Sequence, residues 1–325
     1  MEKLRVHVEN NPAADAAMTL APGMFEAELA RRPRLAGRLA LTFNDDPDRF
    51  GSVAEDAEVV FAGRRFADAS LLRRLRWVQS VSAGIEAFLP VLPPGVLLTN
   101  ASGVHAEKGG EFILTAALML NYGIPRFATD KEHRRWAPQF GPPIAGNTAV
   151  LLGVGAIGGE GARLLKLLGA RTVGVSRSGG ERPHLDRSLT LAEIDAALPQ
   201  ADFLISSLPL TKATAGLIDR RRLDLLPAGA GVVIVGRAKV FDCDALLAKL
   251  ADGSLGGAVL DVFPQEPLPA DSPFWSAPNL VVTPHCSVDD HTVYLARCLT
   301  LFLDNLERYL AGERLLNLVD RDQGY

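Results

Sequence analysis

Ala149-Val150-Leu151-Leu152-Gly153-Val154-Gly155-Ala156-Ile157-Gly158 is the stretch on which the fold turns. Four apolar residues of strand length run directly into G-x-G-x-x-G. A helical stretch then continues to Gly169, and a second apolar run, Thr172–Val175, follows it. Strand, glycine turn, helix and strand in that order are the setting in which this motif binds a dinucleotide. Gly153 permits the tight turn, Gly155 lets a pyrophosphate approach the backbone, and Gly158 lets helix pack closely on strand. The first helical turn, with Ala156 and Ile157, offers unpaired N–H groups and the positive end of the helix dipole to the phosphates. In a chain with 30 glycines the motif alone would say little; its flanks supply the weight.

Outward from this loop, short apolar runs alternate with helical stretches, the pattern of parallel sheets covered by helices. Downstream, strands are predicted at Phe203–Ser206, Gly231–Val235, Ala258–Leu260 and Leu280–Val282, and helices at Leu191–Ala197, Asp219–Leu225 and Asp244–Leu250. Upstream, strands are predicted at Leu4–Val8, Val59–Ala62, Trp77–Val81 and Val96–Thr99, with Arg- and Ala-rich helical segments between them. A helix over His105–Asn121, apolar nearly all round, is predicted to be buried against another domain or subunit. A final helix over Thr292–Leu310 is expected to return to the first domain. The fold class is therefore read as α/β with two doubly wound parallel-sheet domains. Residues 1–100 and 290–325 form one, and residues 101–289 form an inserted dinucleotide-binding domain.

The chain's 325 residues suit two domains at roughly 150 residues each. Lys plus Arg number 34 and Asp plus Glu 38, a net charge of −4. A weakly acidic chain without a basic block is a poor partner for nucleic acid or an anionic membrane. No apolar run approaches the ~20 residues of a membrane span. Met1-Glu2-Lys3-Leu4-Arg5 leads directly into a strand-like run, so no signal peptide is read and a cytoplasmic location is expected. Cys243, Cys286 and Cys298 lie far apart and make neither a CxxC pair nor a disulfide framework. No clustered ligands suggest a metal.

The second strand of the dinucleotide unit ends Val175-Ser176-Arg177-Ser178. An NAD-binding loop carries an acid ~20 residues beyond its glycines to accept from the ribose 2′-hydroxyl. No Asp or Glu occurs from Gly161 to Gly180. Arg177 instead offers a planar cation suited to a 2′-phosphate, with the hydroxyls of Ser176 and Ser178 beside it. NADP, as NADPH, is the favoured cofactor, with NAD the alternative.

A nicotinamide enzyme acting on a small keto acid needs a cation for the carboxylate, an acid for the proton, and a group to govern that acid. Arg237 in Val235-Gly236-Arg237-Ala238, Glu266 in Asp261-Val262-Phe263-Pro264-Gln265-Glu266-Pro267, and His285 in Thr283-Pro284-His285-Cys286 fit these needs. All three follow predicted strands, and open α/β sheets bind ligands beyond the carboxyl ends of their strands. The plainer readings are an ion pair for Arg237, a solvated acid for Glu266 and a capped loop residue for His285.

With Ser207-Leu208-Pro209-Leu210-Thr211, Thr214 and an early Ser82-Ala83-Gly84, these ordered segments resemble the D-isomer-specific 2-hydroxyacid dehydrogenase family. The resemblance covers most of the chain and is strongest from Thr148 to about Asp290. Through Ser176-Arg177-Ser178 it looks most like the NADPH-dependent glyoxylate and hydroxypyruvate reductases. It implies a Rossmann cofactor domain inserted into a flavodoxin-like substrate domain. The implied reaction reduces a small 2-keto acid, with glyoxylate or hydroxypyruvate the leading substrates, to a D-2-hydroxyacid. His285 would be the general acid, Glu266 would hold its other ring nitrogen, and Arg237 would grip the carboxylate and carbonyl. Backbone N–H groups of the Ser82, Ala83 and Gly84 loop would take the carboxylate's other oxygen. Asp261 would bind the nicotinamide carboxamide, and Leu208, Pro209, Thr214, Val235 and Gly236 would line the cofactor. The region His105–Trp136 matches the part that builds the family's homodimer, and Trp136 would reach the partner's substrate site.

The chain departs from the family pattern at four places. Ala238 stands where Gly is usual, Ile234 where Asn is frequent, and Lys239 and Cys243 where acids are common. The Ala238 methyl is expected either to narrow the substrate pocket or to be tolerated there. Cys286 is read as a small packing residue. The alternatives are an NAD-dependent dehydrogenase of another 2-hydroxyacid or an unusual substrate, and a non-enzymatic dinucleotide-sensing protein resembling corepressors of this fold.

Overall fold

Successive strand residues point to opposite faces, and a parallel sheet covered by helices on both sides must therefore be apolar on both. In β3 (Val59–Ala62) every residue is buried: Val59 and Phe61 join one apolar cluster with Val6, Val8 and Trp77, while Val60 joins another with Val78 and Leu98. The computed structural model describes residues 2–13, 18–66 and 68–321 and divides into two units, Met1–Val104 with Asp290–Tyr325, and His105–Asp289.

Unit 1 begins with β1 (Leu4–Glu9), α1 (Pro22–Leu29), β2 (Leu39–Asn44) and α2 (Phe50–Val53), continues through β3, and adds β4 (Trp77–Ser80) and β5 (Leu97–Thr99). The strands are parallel in the order β2-β1-β3-β4-β5, the flavodoxin-like winding.

Unit 2 contains α3 (Ala106–Asn121), α4 (Ile124–Glu132), β6 (Thr148–Leu152), α5 (Ala156–Leu167), β7 (Arg171–Ser176), β8 (Arg187–Thr190), α6 (Ile194–Ala197) and β9 (Phe203–Ser206). It ends with α7 (Arg220–Leu223), β10 (Gly231–Ile234), α8 (Cys243–Ala251), β11 (Gly257–Leu260) and β12 (Leu280–Val282). Its parallel sheet runs β12-β11-β10-β9-β6-β7-β8, a Rossmann order with one added strand, and the order reverses between β6 and β9. The chain then returns to unit 1 as α9 (Tyr294–Ala311), whose Leu295, Leu299, Phe302 and Leu306 enter the cluster around Val6, Val8 and Trp77.

The structure departs from the sequence reading in four places. β2 and β8 were not foreseen; both are edge strands with exposed, polar positions. The segment from Gly63 to Arg76 forms turns instead of a helix among its described residues. Leu191–Glu193 is a 3₁₀ turn, with α-helix only over Ile194–Ala197. Finally, α3 is not buried all round. Glycines bring it against α5 of its own unit: a Cβ on Gly109 would lie 2.8 Å from Ile157, and one on Gly161 would lie 2.8 Å from Ile113. Ile113, Ala116 and Ala117 are buried, whereas Phe112, Leu118 and Met119 are half-buried.

A buried amide ties the C-terminal tail to unit 1. Asn305 of α9 is fully buried; its Nδ2 donates to Gln79 Oε1 (3.2 Å) and Leu316 O (3.1 Å), and its Oδ1 accepts from Leu316 N (2.7 Å). Truncation would remove all three hydrogen bonds of this buried amide, so Asn305→Ala is expected to cost about 2–4 kcal/mol in urea unfolding, with faster proteolysis after residue 312. An unchanged unfolding midpoint would show that this network contributes little. No helix among the described residues is long and apolar enough to cross a membrane.

Candidate active site

Gly153 leaves β6 with φ +86°, a conformation that glycine adopts without strain, and its N–H donates to Val175 O (2.9 Å). A Cβ on Gly158 would lie 2.0 Å from Gly153 O, so only glycine lets α5 approach its strand this closely. Gly155 is the N-cap of α5, no side chain caps that end, and a Cβ there would meet nothing within 4 Å. The helix thus presents an uncapped N-terminus beside open space, which fits a phosphate group. Ile157 turns its side chain toward Gly109, leaving its backbone as the part available to such a ligand.

At the adjoining end of β7, Ser176 Oγ accepts from Gly179 N (3.2 Å) and Ser178 Oγ accepts from Gly180 N (3.4 Å). The two hydroxyls fold the segment into a turn and leave Arg177 exposed between them. After β9, Ser207 Oγ donates to Gly153 O (2.9 Å), latching the next loop to the glycine turn. Thr214 is buried; its hydroxyl donates to Pro209 O (2.6 Å) and accepts from Thr211 N (2.8 Å), so it shapes its own loop. Leu208 and Val235 are buried, and a Cβ on Gly236 would lie 2.4 Å from Leu208 O.

The loops after β11 and β12 bring Glu266 and His285 together: His285 Nδ1 lies 2.6 Å from Glu266 Oε2, and Glu266 Oε1 accepts from Phe263 N (2.8 Å). His285 has φ +51°, uncommon for a residue other than glycine, and its N–H donates to Thr283 O (3.0 Å) across Pro284. Such a backbone persists only where its surroundings enforce it. Here Asp261 enforces it: Asp261 Oδ1 accepts from Thr283 Oγ1 (2.6 Å), Cys286 N (3.2 Å) and Ser287 N (3.2 Å), gripping the loop on both sides of the histidine. The sequence reading missed the roles of Thr283 and Ser207. A hydroxyl residue at a strand end beside a turn was the only signal for either.

Arg237 is half-buried beyond β10, the strand paired with β11, and donates through one terminal nitrogen to Gly236 O (2.9 Å). Ala238 and Ile234 are both buried in the apolar core of unit 2, so the Ala238 methyl packs inward and neither departure adds bulk at the exposed end of the loop. Lys239 is exposed. Ser82-Ala83-Gly84 belongs to unit 1 and follows β4; Gly84 N donates to Ser82 Oγ (3.2 Å), and Asn100 Nδ2 donates to Ala83 O (3.2 Å). That Ser82 hydroxyl must turn aside for the Gly84 N–H to serve another acceptor.

Cys286 is exposed, contrary to its reading as a packing residue. Burial, aided by Asp244 and Asp242, pushes the Cys243 thiol up to about 11, and burial pushes Cys298 up to about 12. Near neutral pH an alkylating reagent is therefore expected to label Cys286 alone in the folded chain and all three thiols after denaturation. Comparable labelling of Cys243 or Cys298, read by peptide mass spectrometry, would contradict their burial. Among the described residues no group of three or more His, Cys, Asp or Glu is placed to hold a metal ion.

An imidazole held by a carboxylate, in the same unit as a loop shaped for a dinucleotide and beyond the ends of the same parallel sheet, is the apparatus of a nicotinamide-dependent oxidoreductase, which moves a hydride and a proton together. Residues 114–287 match the pattern described as D-isomer specific 2-hydroxyacid dehydrogenase, NAD binding domain. Over 261 residues, 78% of this chain and 83% of the other, the sequence is 31% identical to glyoxylate/hydroxypyruvate reductase A of Salmonella paratyphi B. Two solved structures are similar. The NADPH-dependent glyoxylate/hydroxypyruvate reductase of Sinorhizobium meliloti, in complex with NADP and sulfate, gives a TM-score of 0.82 at 27% identity, covering 99% of this chain and 100% of that one. The D-isomer specific 2-hydroxyacid dehydrogenase of Xanthobacter autotrophicus Py2, in complex with NADPH and MES, gives 0.82 at 26% identity and covers 100% of both. The chain belongs to the D-isomer specific 2-hydroxyacid dehydrogenase family.

Proposed function

We propose that the chain is an NADPH-preferring reductase of a small 2-keto acid, glyoxylate or hydroxypyruvate foremost, that yields a D-2-hydroxyacid. The observation that carries this reading is the 2.6 Å contact between His285 and Glu266 in a unit whose β7 is followed by Arg177 instead of an acid. Its relatives include reductases named for these two substrates.

The residues divide the work as follows. With Nδ1 turned to Glu266, His285 would carry the transferable proton on Nε2 and deliver it to the carbonyl oxygen. Arg237 would hold the substrate carboxylate and polarise the carbonyl, and the backbone of the Ser82–Gly84 loop would take the other carboxylate oxygen. The N-terminus of α5, from Gly153 through Gly158, would hold the pyrophosphate, and Ser176, Arg177 and Ser178 the 2′-phosphate. Leu208, Pro209, Thr214, Val235 and Gly236 would form the wall, with Asp261 at the carboxamide. Bound there, NADPH would supply the hydride.

The same reading makes the protein a cytoplasmic homodimer. Trp136 and Phe140 are 97% and 92% exposed on the arm that follows α4, where a second copy would cover them. Trp136 would then reach the partner's substrate site. Free cysteines suit a reducing compartment.

Initial rates of NADPH and NADH oxidation with glyoxylate, hydroxypyruvate, pyruvate and phenylpyruvate test the proposal. Fast NADPH-dependent reduction of a small keto acid is expected. Tight cofactor binding with no turnover of any of the four would remove the substrate assignment, and a preference for NADH would remove the role of Arg177.

A further inference from the structure

His285 stands in the loop Thr283–Asp289, and side chains from two different parts of unit 2 hold that loop. Asp261 Oδ1 takes Thr283 Oγ1, Cys286 N and Ser287 N, which fixes its near half. Beyond Ser287 a buried imidazole meets it instead. His105 Nδ1 lies 3.2 Å from Val288 O and 3.4 Å from Asp289 Oδ1.

His105 comes from the opposite end of the unit. It is the residue before α3, and its carbonyl accepts from Gly109 N (2.9 Å), so the helix fixes its backbone. The helix rests in turn on α5, where Gly109 lies against Ile157. The contact therefore joins the first residue of unit 2 to the last and puts a packed helix behind the loop that carries His285. Burial holds the His105 imidazole below its ordinary range, although Asp289 and the Val288 carbonyl pull the other way. Near neutral pH the ring is then uncharged, and Nδ1 bears its hydrogen because a carbonyl oxygen only accepts.

We infer that His105 is a positioning residue for His285: it anchors the far end of Thr283–Asp289, as Asp261 anchors the near end, and so keeps His285 against Glu266. The inference rests on the reading of His285 as the general acid. Proton transfer needs the acid within hydrogen-bond reach of its target, so a loop held at one end only delivers the proton less often.

Hydrogen exchange of the 283–289 peptide, with kinetics on NADPH and each of glyoxylate and hydroxypyruvate, tests this in three variants. His105→Ala is expected to speed exchange in that peptide about 3- to 10-fold, the scale of one hydrogen bond, with peptides of β6 and β10 unchanged. Its kcat is expected to fall about 10-fold, the cost of a displaced acid, with the NADPH Kd unchanged. His105→Asn, whose Nδ2 takes the place of the ring Nδ1, is expected to restore both. His105→Gln, whose amide reaches instead to the place of Nε2, is expected to behave as the alanine variant. Unchanged loop exchange in His105→Ala, faster exchange throughout unit 2, or rescue by Gln and not by Asn would overturn the assignment. Faster loop exchange at full kcat would overturn it too, since the anchor would then position nothing. A wild-type chain that reduced neither acid, with His105→Ala still loosening the loop alone, would uphold the anchor and overturn the substrate reading.

Discussion

His285→Ala is expected to lower turnover about 10²-fold or more, the contribution of a positioned acid, while NADPH binding stays nearly unchanged. The separation follows from where the residue sits. Its ring is 43% exposed, its Nδ1 is held by Glu266, and its backbone is pinned through Thr283 and Cys286 to Asp261. The features proposed to hold the phosphates lie instead on β6, α5 and β7. Removing the ring would delete the proposed proton donor without loosening the glycine turn. Single-turnover rates and cofactor titration measure the two effects independently. Unchanged turnover would remove His285 from the chemistry, and a parallel loss of NADPH affinity would mean that the loop, not the ring, had been damaged. Glu266→Gln keeps a hydrogen-bond acceptor near Nδ1 but loses the charge, so its turnover is expected to fall between those of the wild type and His285→Ala.

Arg177→Ala is expected to weaken NADPH by about 1–3 kcal/mol, roughly 5- to 150-fold in Kd, and to leave NADH little changed. The side chain is exposed on a turn whose shape is set by Ser176 and Ser178, so its removal leaves the turn's own hydrogen bonds in place. A guanidinium in water gains most from a doubly charged phosphate and little from a hydroxyl, and the difference should shrink as salt is added. Equal losses for the two cofactors would contradict the 2′-phosphate role.

The parts legible in the sequence were those where one physical requirement dominates. Val150-Leu151-Leu152 and Val232-Val233-Ile234 face helices on both sides and so read as unbroken apolar runs. β2 and β8 lie at sheet edges, where Leu39-Ala40-Leu41-Thr42-Phe43-Asn44 and Arg187-Ser188-Leu189-Thr190 need cover only in part, and the signal that marked the central strands was weak there. The glycine turn was legible because steric demands at Gly153 and Gly158 admit so few residues. The effect of Ala238 stayed open between a narrowed pocket and a tolerated methyl, because sequence position gives distance along the loop but not the direction of a methyl group, which here packs in the core.

The chain crosses between the two units twice, near residues 104 and 289, and this sets an order of events during synthesis. Unit 2 is one uninterrupted stretch, complete as soon as Asp289 has left the ribosome. Unit 1 is begun first and finished last: the face of its sheet bearing Val6, Val8, Phe61 and Trp77 is covered only in part, by Leu20, Phe25 and Leu35, until Leu295, Leu299, Phe302 and Leu306 arrive on α9. Domains fold as units when their chain is available, and an uncovered apolar sheet is the species that aggregates. The nascent chain therefore carries an unfinished N-terminal sheet through the whole translation of unit 2. A nonsense codon between Asp289 and α9 would release a folded unit 2 joined to an open, adhesive unit 1.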